Sequence, residues 1–117
     1  MILAAALAAL SIDAASAAPG SYTLSAGERR CRIVLDAPSR TPEDSLIAPD
    51  AVSGLVMAFP DCPEGLDEAA LWRVNSEDGE LVLFDGAGTA LLTARQDETR
   101  QWRGETADGA PVQLSAR

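Results

Sequence analysis

Two cysteines, Cys31 and Cys62, are the residues of this chain best suited to covalent chemistry. Cys31 alternates with arginines at the two-residue period of a half-buried strand, whereas Cys62 lies in a turn-rich segment between two prolines. A disulfide between them would tie an early strand to a mid-chain loop, a constraint of about 3–4 kcal/mol in the chain-entropy model. No Cys-x-x-Cys spacing or neighbouring base would activate either thiol, so the sequence favours a structural disulfide over metal binding or redox catalysis.

Other candidates for chemistry are weaker, because the chain has no histidine and so lacks the commonest general base and zinc ligand. The remaining candidates are acidic pairs and one glycine-rich turn: Asp67-Glu68, Glu77-Asp78, Asp97-Glu98 and residues 85–88. The pairs lie beside turn residues, which indicates a solvated surface rather than paired catalytic carboxylates. The glycine-rich turn lacks the further ligands of a calcium loop and the lysine of a phosphate loop, which favours a hairpin turn. We therefore expect no enzymatic activity, no metal site and no cofactor.

The composition is that of a small acidic domain of 117 residues, with 18 acidic residues against 9 basic ones and a formal net charge of −9. Such a charge disfavours nucleic acid and anionic membrane surfaces as partners. The arginine cluster formed by Arg29, Arg30 and Arg32 is expected to pair with the chain's own carboxylates across neighbouring strands. Two cysteines fit an oxidising compartment, where a single disulfide persists.

Residues 1–17 form an apolar run that ends in Ala15-Ser16-Ala17, the small-x-small form of a signal-peptidase site. The pattern predicts a signal peptide that is cleaved after Ala17, export to the periplasm and a mature domain at residues 18–117. An alanine-rich helix of the mature protein is the alternative. The run is too short for a membrane-spanning helix and is followed by no cysteine that could carry a lipid, so we expect no transmembrane segment.

The elements that must position these residues follow the pattern of an antiparallel meander. Short apolar segments alternate with Asp-Gly or polar turns at spacings of about ten residues. The candidate strands are residues 21–25, 30–36, 54–59, 72–75, 80–84, 89–94, 101–106 and 111–115. Residues 37–50 are predicted to be a loop with brief pairing at 46–48, and residues 63–71 form the one helix-like segment.

Eight strands in a meander predict an all-β fold, a small eight-stranded antiparallel up-and-down barrel with one short helix and one disulfide. A sandwich is the alternative. The aromatic side chains of Tyr22, Trp72, Phe84 and Trp102 are expected to pack inside the barrel.

In the order of these motifs the chain resembles the bacterial alkaline metalloprotease inhibitor (Inh) family, which includes a related domain of outer-membrane lipoproteins. The likeness covers residues 20–117, with Tyr22 in place of the tryptophan that opens the family's first strand. The other matching motifs, in chain order, are Cys31-Arg32-Ile33, Cys62-Pro63, the helix-like segment before Trp72, residues 81–86, Trp102-Arg103-Gly104 and Asp108-Gly109.

The resemblance implies a periplasmic barrel with one disulfide that inhibits a secreted serralysin-type zinc metalloprotease without turnover. In this family an N-terminal segment reaches from the barrel into the protease cleft and meets the zinc. Cleavage after Ala17 makes Ala18, Pro19, Gly20 and Ser21 that segment, and these four are the predicted protease-binding residues. Processing upstream of Ser11 in a longer precursor would instead make residues 11–19 the reaching segment. We expect the inhibitor to be a monomer.

Two other functions are compatible with the same pattern. A lipocalin-like carrier would hold a small apolar ligand in the barrel interior. A non-inhibitory, envelope-associated domain would keep the fold without the reaching segment.

Overall fold

A computed structural model describes residues 18–38, 51–63, 65–75 and 78–117. Each strand pairs antiparallel with the next along the chain, and the eighth returns to the first, which closes a barrel. The strands are β1 Gly20–Ala26, β2 Arg29–Pro38, β3 Ala51–Ala58, β4 Ala69–Asn75, β5 Leu81–Asp85, β6 Ala90–Gln96, β7 Trp102–Thr106 and β8 Pro111–Ala116. The predicted all-β, eight-stranded up-and-down barrel is confirmed, and the sandwich alternative is excluded.

The helix-like segment is shorter than predicted. Within the described ranges the one helix is a 3₁₀ turn at Leu66–Glu68, because the strand β4 already begins at Ala69. Ala69 of β4 pairs with Asp85 of β5. This strand pairing replaces a further helical turn, which the acidic and alanine residues of the segment would favour. The predicted signal peptide at residues 1–17 and the predicted pairing at residues 46–48 lie outside the described residues.

The core follows from the alternation of side chains along each strand. The largest fully buried side chains are Trp72, Trp102, Leu24, Ile33, Leu35, Leu81, Leu83, Leu92, Leu114 and Val74. The Trp72 indole Nε1–H donates a 3.0 Å hydrogen bond to the carbonyl oxygen of Asp36. Gly54 makes room for this ring, because a Cβ at that position would lie 2.6 Å from the same nitrogen. Trp72 thus fills the interior where β2, β3 and β4 meet.

Phe84 does not pack inside the barrel, contrary to the prediction. It alternates with the buried residue Leu83 and is half-buried on the outer face of β5. The Arg73 guanidinium carbon lies 5.0 Å from the centroid of its ring, within cation–π distance. The other three predicted interior aromatics, at positions 22, 72 and 102, are buried.

The disulfide joins Cys31 in β2 to Cys62 in the segment that follows β3, with an S–S distance of 2.05 Å. Both residues are buried within the hydrophobic core cluster. The two cysteines are 31 positions apart in the sequence. The bridge therefore links the strand β2 to a segment that is distant from it along the chain. The predicted structural disulfide is confirmed.

The turn between β6 and β7 is built around the Asp97 carboxylate. Its Oδ1 accepts hydrogen bonds from the Thr99 hydroxyl at 2.6 Å, from the Thr99 N–H at 2.8 Å and from the Gln101 N–H at 3.1 Å. Its Oδ2 accepts a 2.8 Å hydrogen bond from Arg103 Nε. These hydrogen bonds lower the pKa of Asp97 to about 2, and the bond from the Thr99 hydroxyl contributes most. This member of an acidic pair therefore organises a turn.

Replacing Asp97 with asparagine is expected to lower stability at neutral pH and to matter less in acid. The pKa of Asp97 is lowered from 3.8 to about 2 in the folded protein, so the unfolded chain binds this proton first. The stabilisation is complete above about pH 4 and is lost as the pH falls through about 2. Urea unfolding of both proteins between pH 7 and pH 2 measures the effect. A difference in midpoint that stays constant with pH would contradict this account of the turn.

Candidate functional site

The four residues predicted to bind a protease lie together at the start of β1. Gly20 and Ser21 are its first two residues, are exposed, and pair with the end of β2. Ala18 is fully buried and belongs to the core cluster, and Pro19 is half-buried. The described part of the N-terminal segment therefore packs against the barrel from Ala18 onward.

Tyr22 anchors this segment to the core. Its buried hydroxyl donates a 2.7 Å hydrogen bond to the carbonyl oxygen of Ala18. Burial raises the pKa of Tyr22, and the indole N–H of Trp102 lowers it in part. The phenol therefore stays protonated at neutral pH and remains a hydrogen-bond donor. This hydrogen bond holds Ala18, the first described residue, against the core.

Tyr22→Phe is expected to lower the free energy of unfolding by about 1 kcal/mol, because it leaves the Ala18 carbonyl buried without its donor. Urea unfolding at pH 7 measures the loss. The pKa of Tyr22 is raised in the folded state, so the stability of the unchanged protein should fall as the pH rises above 10, and the variant should lack this decline.

Ser25→Ala removes a hydroxyl from the outer face of the same strand and is the control, with an expected change within about 0.5 kcal/mol. Equal stabilities of the phenylalanine variant and this control would rule out the anchor.

The barrel interior is occupied by side chains. Apart from Val82, the buried residues of the described strands belong to one apolar cluster, in which Trp72 and Trp102 have no exposed surface. Large, fully buried side chains across an eight-stranded barrel are typical of a filled core rather than of a ligand cavity. No specific observation therefore favours a carrier of apolar ligands.

A shallow groove on the outer wall runs along β6 and β7 and is lined by residues of both charges, among them Glu80, Arg95, Arg103 and Glu105. Arg95 lies 3.7 Å from the Glu80 carboxylate and 3.8 Å from that of Asp78. These are exposed pairs, and such pairs contribute little to stability. The groove has the character of an ordinary solvated surface.

The glycine-rich turn after β5 uses its carboxylate internally, as the hairpin interpretation predicts. Asp85 Oδ1 accepts 2.9 Å hydrogen bonds from the N–H groups of Ala87 and Thr89. Within the described ranges, no group of three or more His, Cys, Asp and Glu side chains is placed to hold a metal ion. The same ranges contain no helix with the length and apolar character needed to cross a membrane.

Two features of the structure were not predicted from the sequence. One is the hydrogen bond that joins Tyr22 to Ala18, which no residue pattern signals. The other is the exposure of Leu55, Met57 and Leu71 on the outer wall. The sequence did carry a signal for this exposure. Residues 54–59 are apolar at nearly every position, whereas a strand with one solvent-exposed face usually alternates apolar and polar residues. Some apolar side chains of this strand therefore had to face outward.

Comparison with known proteins identifies no relative: no protein-family profile matches the chain, and no characterised protein matches it with statistical significance. The resemblance to the metalloprotease inhibitors therefore rests on the residues quoted above and on their order.

Proposed function

We propose that the protein is a periplasmic inhibitor of a secreted serralysin-type zinc metalloprotease, in the form processed upstream of Ser11. Ala18, Pro19, Gly20 and Ser21 are then the root of the reaching segment, because Ala18 is buried and Gly20 and Ser21 pair within the barrel. The active-site cleft receives the residues that precede this root. The observation that carries the proposal is the anchor at the root of this segment. The Tyr22 hydroxyl holds the Ala18 carbonyl at 2.7 Å on a closed, disulfide-linked barrel. A peptide that leaves a rigid body from a fixed point loses less conformational freedom on binding than a free peptide does.

The chemistry requires no catalytic group on the inhibitor. A catalytic zinc site keeps one coordination position for water or substrate, and a peptide amine or carbonyl oxygen can occupy it. Pro19 restricts the backbone of the segment, because its ring fixes φ and removes one N–H. The protein therefore blocks the cleft by position alone.

The proposed compartment is supported by the disulfide and by the apolar run at residues 1–10, which is typical of an export signal. A buried Cys31–Cys62 bridge persists in an oxidising compartment such as the periplasm. A closed barrel presents no unpaired strand edge, which is consistent with a monomer that binds one protease molecule.

Titration of a panel of serralysin-type proteases with the purified protein tests the proposal. We expect activity to fall linearly and to reach its minimum at one equivalent for at least one protease of the panel. A thermolysin-type zinc protease serves as the selectivity control and should keep its activity. Full activity of every serralysin-type protease in the presence of excess folded protein would overturn the proposal and favour the non-inhibitory, envelope-associated domain.

A further inference from the structure

The outer wall of the barrel carries a contiguous apolar patch that lies outside the N-terminal segment. Leu55, Met57 and Leu71 are 56%, 55% and 39% exposed, and they are the strongly exposed large apolar side chains of the described ranges. Leu55 pairs directly with Leu71 across β3 and β4, and Met57 pairs with Val34 of β2. Leu71 in turn pairs with Phe84 of β5. These five residues, here named the outer patch, span four adjacent strands.

Such clustering is informative because single exposed apolar residues are common on protein surfaces, whereas contiguous patches mark interaction sites. Substituting polar residues here would cost the barrel little, since the side chains lie outside the core cluster. The patch therefore has no structural explanation among the residues that the structure describes.

Two arginines border the outer patch and lie over aromatic rings. The Arg32 guanidinium carbon is 4.5 Å from the centroid of the Phe59 ring, and that of Arg73 is 5.0 Å from the Phe84 ring. Among the described residues, the ion pairs involve other arginines, Arg95 and Arg103, which belong to β6 and β7. The Nε–H of Arg73 is buried and meets no acceptor within the described ranges.

The cluster at Arg29, Arg30 and Arg32 was expected to pair with the chain's own carboxylates, and none of the described ion pairs involves it.

This arrangement favours a partner surface with apolar side chains bordered by carboxylates. The bordering arginines are pre-positioned on the rings and can donate to external carboxylates without first breaking an ion pair to a described residue. A second copy of the chain fits less well, because two-fold association would bring the arginines at the border of one patch towards those of the other.

The outer patch also lies close to the N-terminal segment. Gly20 pairs with Leu35 of β2, and Leu35 pairs with Val56 of β3, which stands between the exposed residues Leu55 and Met57. Two strand spacings, roughly 10 Å, separate the start of β1 from these exposed residues of β3. A protein that receives the N-terminal segment would extend over this wall.

We infer that the outer patch is a second contact surface for the protease, one that binds apolar side chains bordered by carboxylates beside the active-site cleft. This inference rests on the proposed function. Its role is to add affinity and to orient the barrel, while the N-terminal segment blocks the cleft.

Inhibition titrations with Leu55→Glu and Met57→Glu test the inference, using a serralysin-type protease that the unchanged protein inhibits. Each substitution places a negative charge against the partner's apolar side chains and near the carboxylates that border them, so the inhibition constant should rise at least about tenfold. Ala107→Glu is the matched control, because Ala107 is exposed in the turn between β7 and β8, far around the barrel from β3. The control should inhibit as the unchanged protein does, and urea unfolding confirms that all three variants are folded.

The outcomes separate the two proposals. Patch variants that inhibit as strongly as the control would overturn the second contact surface and leave the inhibitor proposal standing. An unchanged protein that inhibits no protease of the panel would overturn both. A dimer in sedimentation velocity that Leu55→Glu dissociates would assign the patch to a second copy and would also overturn the inference.

Discussion

Replacing both cysteines with alanine, Cys31→Ala together with Cys62→Ala, is expected to lower the free energy of unfolding by about 3–4 kcal/mol. The bridge joins residues 31 positions apart, and its loss frees a long loop in the unfolded chain. Native domains are stable by roughly 5–15 kcal/mol, so this loss removes a large share of the stability. Alanine is preferred to serine because both positions are buried and a hydroxyl there would need a hydrogen-bond partner.

Reductant supplies the control for the cysteine variant. The unchanged protein in reductant should lose about the same stability, whereas the double variant should not respond to reductant. Urea unfolding with and without reductant measures both. A loss below about 1 kcal/mol would show that the β-barrel does not depend on the bridge.

Gly104→Ala is expected to destabilise the barrel by about 3 kcal/mol or more, or to prevent folding. A Cβ at this position would lie 1.7 Å from the Thr93 carbonyl oxygen and 2.6 Å from the Ala94 Cα. Both are backbone atoms of β6, so no side-chain rotation relieves the overlap and the strands β6 and β7 must separate. Gly104 also pairs with Val112 of β8, so the displacement would reach a third strand.

Gly86→Ala is the matched control for this substitution. A Cβ at Gly86 meets no atom within 4 Å, and its φ angle is not in the left-handed region. We expect this variant to change stability by less than about 0.5 kcal/mol. Thermal and urea unfolding of the two alanine variants compare the positions directly. Equal stability would mean that β6 and β7 do not need the close approach seen here.

The fold was predictable because its local signals agree with one another. Asp-Gly turns at regular spacing, alternating strands and two cysteines all favour a meander that closes on itself. At residues 63–71 only the extent of the short helix was wrong, where these signals conflict: the composition favours a longer helix, but pairing between Ala69 and Asp85 starts β4 at Ala69. Tertiary pairing outweighs helix propensity there, because the helix would be too short to be stable alone.

The candidate site was predictable only in part. The position of Ala18 beside β1 follows from sequence order, but its burial under the Tyr22 hydroxyl depends on how the first strand meets the core. Phe84 was placed inside because it is aromatic, whereas its position on β5 turns it outward opposite Leu71. The outer patch was missed for a related reason, since which face of an all-apolar strand is exposed depends on the neighbouring strands.

The most direct test of the inhibitor proposal is the visible absorption spectrum of a serralysin-type protease in which Co²⁺ replaces the catalytic Zn²⁺. A ligand from the N-terminal segment would change the metal's coordination, so the d–d bands should shift and the change should saturate at one equivalent of this protein. A spectrum that stays unchanged in the presence of excess folded protein, together with continued hydrolysis of substrate, would contradict the proposal.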